Sequence, residues 1–198
     1  MRIIAGSKKG MKLISPKTDA SRPVIDRVKE SVFDVLYKYN MPEGKVVADL
    51  FCGVGSFGLE SLSRGAKFVT FVERDTEIAA VLKKNIAKAD FANQSKVVIA
   101  DAFKAGSPLA GQEDKYDLVF VDPPYRLTED VGEKSPLANL MDALSGQTKA
   151  QSLILVRTHF KTELMEEYGI FKMIERRRWG TMAVAFFIRL PCGGLGRS

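Results

Sequence analysis

A chain of 198 residues, 45% of them hydrophobic, is long enough to bury a substantial core and short enough to be one domain with a small appendage. Its formal net charge of +6 points only modestly to a polyanionic partner, while two cysteines and one histidine leave no metal-ligand spacing and no disulfide framework. No apolar run approaches the roughly 18 residues that span a bilayer and no signal-peptide core follows Met1, so membrane insertion and secretion are not expected and a reducing, cytoplasmic setting is.

The charge is concentrated at the amino terminus. Residues 1–22 carry Arg2, Lys8, Lys9, Lys12, Lys17 and Arg22 against Asp19 alone, which is five of the six excess charges. A charge run is usually a solvated face, but here Ile3, Ile4, Leu13 and Ile14 flank a turn from Gly6 to Gly10, the pattern of a hairpin with one apolar side. A folded basic hairpin is suited to be a nucleic-acid arm. Residues 23–190 then read as the main domain. Val28, Val32, Leu36 and Tyr39 predict a helix from Val24 to Tyr39, ended by Pro42 and Gly44. From Lys45 strands and helices alternate: strand 46–51, glycine turn 53–58, helix 57–64, strand 68–72, helix 76–88, strand 97–99 and strand 116–121. Helix 137–144, strand 153–156, helix 161–167 and closing strands 171–176 and 182–189 complete it, with residues 191–198 expected to be a disordered tail. This alternation predicts an α/β domain with a mostly parallel, doubly wound sheet and helices on both faces.

The turn Gly53-Val54-Gly55-Ser56-Phe57-Gly58 follows a strand and opens a helix, with Glu73 twenty positions beyond Gly53 at the end of the next strand. That spacing fits a dinucleotide site, in which the backbone approaches a pyrophosphate and the acid binds ribose hydroxyls. It fits an S-adenosylmethionine site equally in outline, and two further acids favour the latter. Asp49, just before the loop, would repel a pyrophosphate yet accept from a ligand ammonium, and Asp101-Ala102 follows the next strand, where an adenine amino group needs an acceptor. Three acids around one cleft suit a sulfonium better than a polyanion. Each alone could be a helix cap.

Asp122-Pro123-Pro124-Tyr125 ends the apolar run 118–121, at the strand end where open α/β sheets bind ligands. The two prolines stop the strand and remove two N–H donors while leaving carbonyls free. A carboxylate, a backbone acceptor and an aromatic face in one loop suit an exocyclic amine on a nucleobase, which has two N–H groups to hold and a ring to stack. A strand-ending turn with an Asx cap is the plainer alternative.

Taken in this order, the glycine loop, Glu73, Asp101 and the Asp122 loop resemble a Rossmann-like class I S-adenosylmethionine-dependent amino-methyltransferase. More narrowly, the chain resembles the RsmD-like bacterial family that methylates guanine N2 in small-subunit (16S) ribosomal RNA. The residues carrying this are Arg2-Ile3-Ile4-Ala5-Gly6 with Gly10, Leu13 and Pro16; Arg22-Pro23 with 26–30; 49–55; and 58–66. The resemblance implies a seven-stranded sheet plus the N-terminal hairpin and helix, and no metal. It implies cofactor contacts from Asp49, Phe51, Gly53, Gly55, Glu73, Arg74, Asp101 and Ala102, and catalytic contacts from Asp122, Pro123 and Tyr125. Ribosomal RNA, or the small-subunit particle, would lie on Arg2, Lys8, Lys9, Lys12, Arg22 and Arg27, with the protein a monomer. Arg27 could equally be a surface ion-pair partner. Val24-Ile25 stand where threonines are expected, and Arg157 where a glutamate is.

Other residues carry less. His159 reads as a surface or capping residue, Cys52 as a small apolar filler whose helix-terminal position could lower its pKa, and Arg176-Arg177-Arg178 as a charged sheet edge. The rival functions are a nicotinamide oxidoreductase, an adenine-N6 methyltransferase using the same loop, and a non-catalytic RNA-binding assembly factor.

Overall fold

A computed structural model describes residues 1–15, 26–105 and 115–191. Arg22, Pro16, the Val24-Ile25 pair, the start of the first predicted helix and most of the predicted tail lie outside them. The elements are α1 (Asp26–Tyr37), β1 (Val46–Leu50), α2 (Ser56–Ser63), β2 (Phe68–Glu73), α3 (Thr76–Lys88), β3 (Ser95–Ile99), α4 (Ala102–Ala105) and β4 (Tyr116–Val121), followed by α5 (Pro136–Ser145), β5 (Thr148–His159), β6 (Glu167–Tyr168), β7 (Phe171–Trp179) and β8 (Met182–Arg189).

The sheet has the order β3-β2-β1-β4-β5-β8-β7-β6, parallel through β5 and antiparallel thereafter. Successive residues of a strand face opposite sides, and both sides are covered. Val47, Leu118 and Phe120 pack with α1, α2 and α3, whereas Val46, Ala48, Leu50, Val119 and Val121 pack with Leu137, Leu140, Met141 and Leu144 of α5. That is why β1 and β4 are mostly apolar on both faces, with Asp49 and Asp117 as the exceptions. The chain order turns outward in both directions from β1 and β4, so their carboxyl ends flank the crevice in which ligands of such sheets bind.

Among the described residues eight strands replace the expected seven, and the predicted helix over 161–167 is absent. Thr162 N–H closes a turn on the His159 carbonyl, Arg176 donates to the Phe160 and Thr162 carbonyls, and the buried Tyr168 hydroxyl donates 2.6 Å to the Val131 carbonyl. Arg176 of β7 thus takes carbonyls that a helix would satisfy internally, the loop before α5 fixes the Tyr168 side chain, and Glu167–Tyr168 become the short edge strand β6.

The basic hairpin is present, with Arg2 bridged to Lys12 and Ile3 and Leu13 buried in the core under α1–α3; Ile14 is exposed. It is fastened to α2. Ile4 and Ala5 N–H donate to the two Glu60 carboxylate oxygens at 2.8 and 3.0 Å, and Ser63 Oγ accepts from Lys8 N–H and donates to the Ala5 carbonyl. Gly6, at φ 78°, passes so close to α2 that an added Cβ would lie 1.7 Å from the Ser63 carbonyl oxygen. Lys29 and Arg64 complete the junction as ion-pair partners of Glu60, and Lys29 and Glu60 are wholly buried. Charged residues in otherwise apolar helix stripes gave no sequence signal of this arrangement.

Candidate active site

The turn after β1 requires unusual backbone. Phe51, Gly53 and Gly55 all have positive φ, and a Cβ on Gly55 would meet Leu82 Cδ1 at 2.5 Å. Asp49, 1% exposed on β1, accepts from Gly58 N–H at 2.8 Å and so caps α2 from below. Burial, and then the nearby Asp122 and Glu73 carboxylates, raise its pKa well above the usual carboxylate range, against the opposing Gly58 hydrogen bond and Arg157 charge. Its direct partner is therefore the loop backbone. Cys52 is pushed up as well, by burial and then by Asp49 and Glu73, which reverses the expectation that helix proximity would lower it.

Glu73 ends β2 and spans two turns. One oxygen accepts from Gly53 N–H at 3.0 Å and the other from Asp75 N–H at 2.9 Å, while Asp75 caps α3 by accepting from Glu77 and Ile78 N–H. Arg74 is exposed beside it. After β3, Asp101 accepts from Phe103 N–H at 3.1 Å, Ala102 is buried, and the Phe103 ring lies 4.8 Å from that of Phe51. Phe103 was not among the predicted site residues; an aromatic two positions after Asp101 was its one trace. The cofactor candidates thus come together along the ends of β1, β2 and β3.

Asp122 emerges next to them from β4. Its side chain is 14% exposed and forms an ion pair with Arg157 Nε of β5, whose own side chain is 16% exposed. Burial raises the Asp122 pKa, and the charge and hydrogen bond of Arg157 oppose that rise. The β4–β5 register, Val121 opposite Val156, brings the next residue of each strand together. Arg157, noted in the sequence as a departure, is thereby the partner of the predicted catalytic acid. The floor behind the pair is apolar, with Phe57, Phe120, Leu155 and Val184, the two phenylalanines stacked at 4.8 Å.

Pro123 is buried, and among the described residues nothing donates to its carbonyl oxygen. The Pro124 and Tyr125 carbonyls are used instead, by Leu127 N–H at 2.8 Å and by Thr128 N–H and Oγ1–H at 3.0 Å, forming a tight turn over Tyr125–Leu127. Tyr125 meets the edge of His159 with centroids 5.7 Å apart. His159 Nδ1 accepts from Lys161 N–H at 3.3 Å, the expected capping role, and its ring also braces Tyr125.

The predicted RNA contacts are unequal. Arg2 is engaged with Asp26 at 2.7 Å and is not a free cation. Lys9, Lys12 and Arg27 are exposed, and their side chains have no hydrogen bond or ion pair among the described residues, so the ion-pair alternative for Arg27 is not realised there. Lys8 Nζ lies 5.7 Å from the Phe91 ring centre. Arg176–Arg178 occupy the part of β7 that β6 leaves unpaired, with Arg178 over Phe160 at 3.8 Å and Arg177 held by Glu175 and by Ser31 Oγ of α1 at 3.2 Å. Among the described residues no group of acids, histidines and cysteines could hold a metal, and no helix is long and apolar enough to cross a membrane.

Residues 1–188 match the family described as Conserved hypothetical protein 95. The putative rRNA methyltransferase YlbH of Bacillus subtilis is 32% identical over 187 residues, covering 94% of this chain and 98% of that protein. Ribosomal RNA small subunit methyltransferase D of Haemophilus influenzae is 38% identical over 125 residues, 63% of this chain and 64% of its own length. The solved structure of the putative methyltransferase yhhF from Escherichia coli superposes with a TM-score of 0.78 at 31% identity, covering 96% of this chain and 98% of that one.

Proposed function

Because the chain belongs to the Conserved hypothetical protein 95 family, we propose that it transfers a methyl group from S-adenosylmethionine to the exocyclic N2 amine of a guanine in small-subunit ribosomal RNA. The observation that carries this reading is the loop at the end of β4: a partly buried Asp122 carboxylate and a Pro123 carbonyl that no described residue engages, beside a braced Tyr125 and next to the glycine turn. Relatives named as rRNA methyltransferases support the substrate class.

The residues fit the cofactor. A positive-φ glycine cradle lies between carboxylates at three strand ends, and Phe51 with Phe103 offers an aromatic wall beside Asp101 for adenine. Glu73 would accept from the ribose hydroxyls, Asp101 and Ala102 would hold the base, and Phe51, Gly53 and Gly55 would shape the site with Arg74 at its rim. Asp49 acts on the loop through Gly58 N–H. S-adenosylmethionine supplies an electrophilic methyl on a sulfonium, and the protein must supply an oriented, desolvated nitrogen.

The N2 nitrogen is a poor nucleophile because its lone pair is conjugated with the purine. Asp122 accepts one of its N–H groups and the Pro123 carbonyl the other, which favours a pyramidal nitrogen, while the Tyr125 face stacks on the base. Arg157 occupies one Asp122 oxygen and leaves the other for the amine. The methylated nitrogen would give up a proton, and Asp122 is placed to receive it. Holding reactants in this geometry is worth about 7–11 kcal/mol. The guanine must leave its stack, which costs least in a loop or an unpaired stretch. Lys8, Lys9, Lys12, Arg22 and Arg27 then serve the RNA backbone. A ribosomal substrate implies a cytoplasmic setting.

Methyl transfer from tritiated cofactor into ribosomal RNA and into small-subunit particles lacking the modification, followed by nucleoside analysis, tests this reading. N2-methylguanine that disappears with Asp122→Ala is expected. Methyladenine would overturn the substrate, and cofactor binding without any transfer would favour an assembly factor.

A further inference from the structure

Five lysines gather where the hairpin lies against α3. Lys8, Lys9 and Lys12 come from the hairpin, while Lys84 and Lys88 are four residues apart and so occupy one face of the helix. Contacts on that face fix their relation. Lys88 Nζ donates 2.7 Å to the Lys12 carbonyl, Asn85 accepts from Ile14 N–H at 2.7 Å and donates to its carbonyl at 3.0 Å, and Lys8 lies over Phe91 just beyond α3.

None of the five is paired with a carboxylate among the described residues. Several other cations do have a carboxylate partner, among them Arg2 with Asp26, Lys29 and Arg64 with Glu60, Lys149 with Asp117 and Lys172 with Glu167, although exposed cations such as Arg27 have none among the described residues. A cluster of unmatched like charges repels itself, and a polyanion relieves that repulsion. Lys88 alone could be explained as a charge complementing the carboxyl end of α3, but Lys84 lies a turn earlier and pairs with no acid among the described residues. The strip is also joined to the cofactor turn, since Asn85 Nδ2 donates 3.2 Å to the Val54 carbonyl.

We propose that Lys84 and Lys88 extend the hairpin's basic surface into one strip, with Lys8, Lys9 and Lys12, that takes the phosphate backbone of the RNA substrate. This rests on the RNA reading above and adds α3 to the interface. Lysines on phosphates act as point charges, so the strip contributes affinity and orientation without reading sequence.

Affinity of the full chain for small-subunit ribosomal RNA, measured against salt concentration, tests it. Lys9→Gln and Lys84→Gln are the first variants, because neither side chain has a hydrogen bond or ion pair among the described residues; Lys88→Gln follows, with thermal melting to monitor hairpin docking. Each is expected to lower the slope of log affinity against log salt by about one and to weaken binding roughly three- to tenfold at low salt. Lys172→Gln, on β7 toward the opposite edge of the sheet, should leave both unchanged. Unaltered slopes in the α3 variants, or an equal loss with Lys172→Gln, would overturn the proposal. Wild-type protein that binds RNA through the strip yet methylates none would instead sink the catalytic reading and leave the strip standing.

Discussion

Glu60 and Asp122 are both carboxylates largely withdrawn from water, and what meets each of them differs. Glu60 accepts from two backbone N–H groups, Lys29 and Arg64, inside the seam that joins the hairpin to α2. Asp122 has Arg157 as its charged partner, an apolar floor behind it and, beside it, the Pro123 carbonyl that no described residue engages. The first charge is saturated by its surroundings and holds two parts of the chain together. The second retains acceptor capacity at a strand end and pays for its burial with a raised pKa. Burial of charge is therefore not what distinguishes the reaction site from the joint; incomplete compensation is.

The largest expected effect lies at the joint. Glu60→Gln leaves Lys29 in the core without its counter-charge, and breaking such a pair from one side costs about 3–5 kcal/mol. Denaturant unfolding should register that loss together with release of the hairpin. A cost below about 1 kcal/mol would mean that the seam is not the compensated structure described here.

Arg157→Met should do less to stability and more to pH dependence. Burial raises the Asp122 pKa and Arg157 restrains it, so removing Arg157 lets the pKa rise further. The acid limb of methyl transfer should then move to higher pH, with a loss of roughly 10- to 100-fold near neutrality and little change in cofactor affinity. Arg157→Lys should return part of the shift. An unmoved limb would show that Asp122 does not depend on this charge.

The smallest effect is expected at Asp49. Its pKa is raised in the native protein, so between the ordinary carboxylate range and its native value the folded state binds more protons than the unfolded state. Stability should accordingly fall as pH rises through that window. Asp49→Asn can still accept from Gly58 N–H; it should flatten that slope and add up to about 1 kcal/mol at neutral pH, while weakening cofactor binding. A slope that persists in the variant would assign it to another group.

The contrast also explains what could be read from the sequence. Largely apolar runs mark β1, β2, β3 and β4, and the glycine turn, Glu73, Asp101 and the Asp122 loop fall at their respective ends, because strand ends followed by small or breaking residues are local signals. Arg157 was visible as an oddity, but its pairing with Asp122 follows from the register Val121 opposite Val156, a property of the assembled sheet. Lys29 and Glu60 interrupt apolar helix faces and give no local hint of each other. Residues 161–167 have a helical pattern, and Arg176 and Tyr168 override it with bonds from distant or later residues. Arg2 likewise counted as a free positive charge until Asp26 met it.

The most direct test is single-turnover methyl transfer by Asp122→Asn, with denaturant stability measured on the same preparation. Asparagine keeps the size of the side chain and removes the charge. The account predicts a rate lower by about 10²–10³-fold with stability equal to or above that of the wild type. A rate within twofold of the wild type, or a loss of rate matched by unfolding, would contradict it.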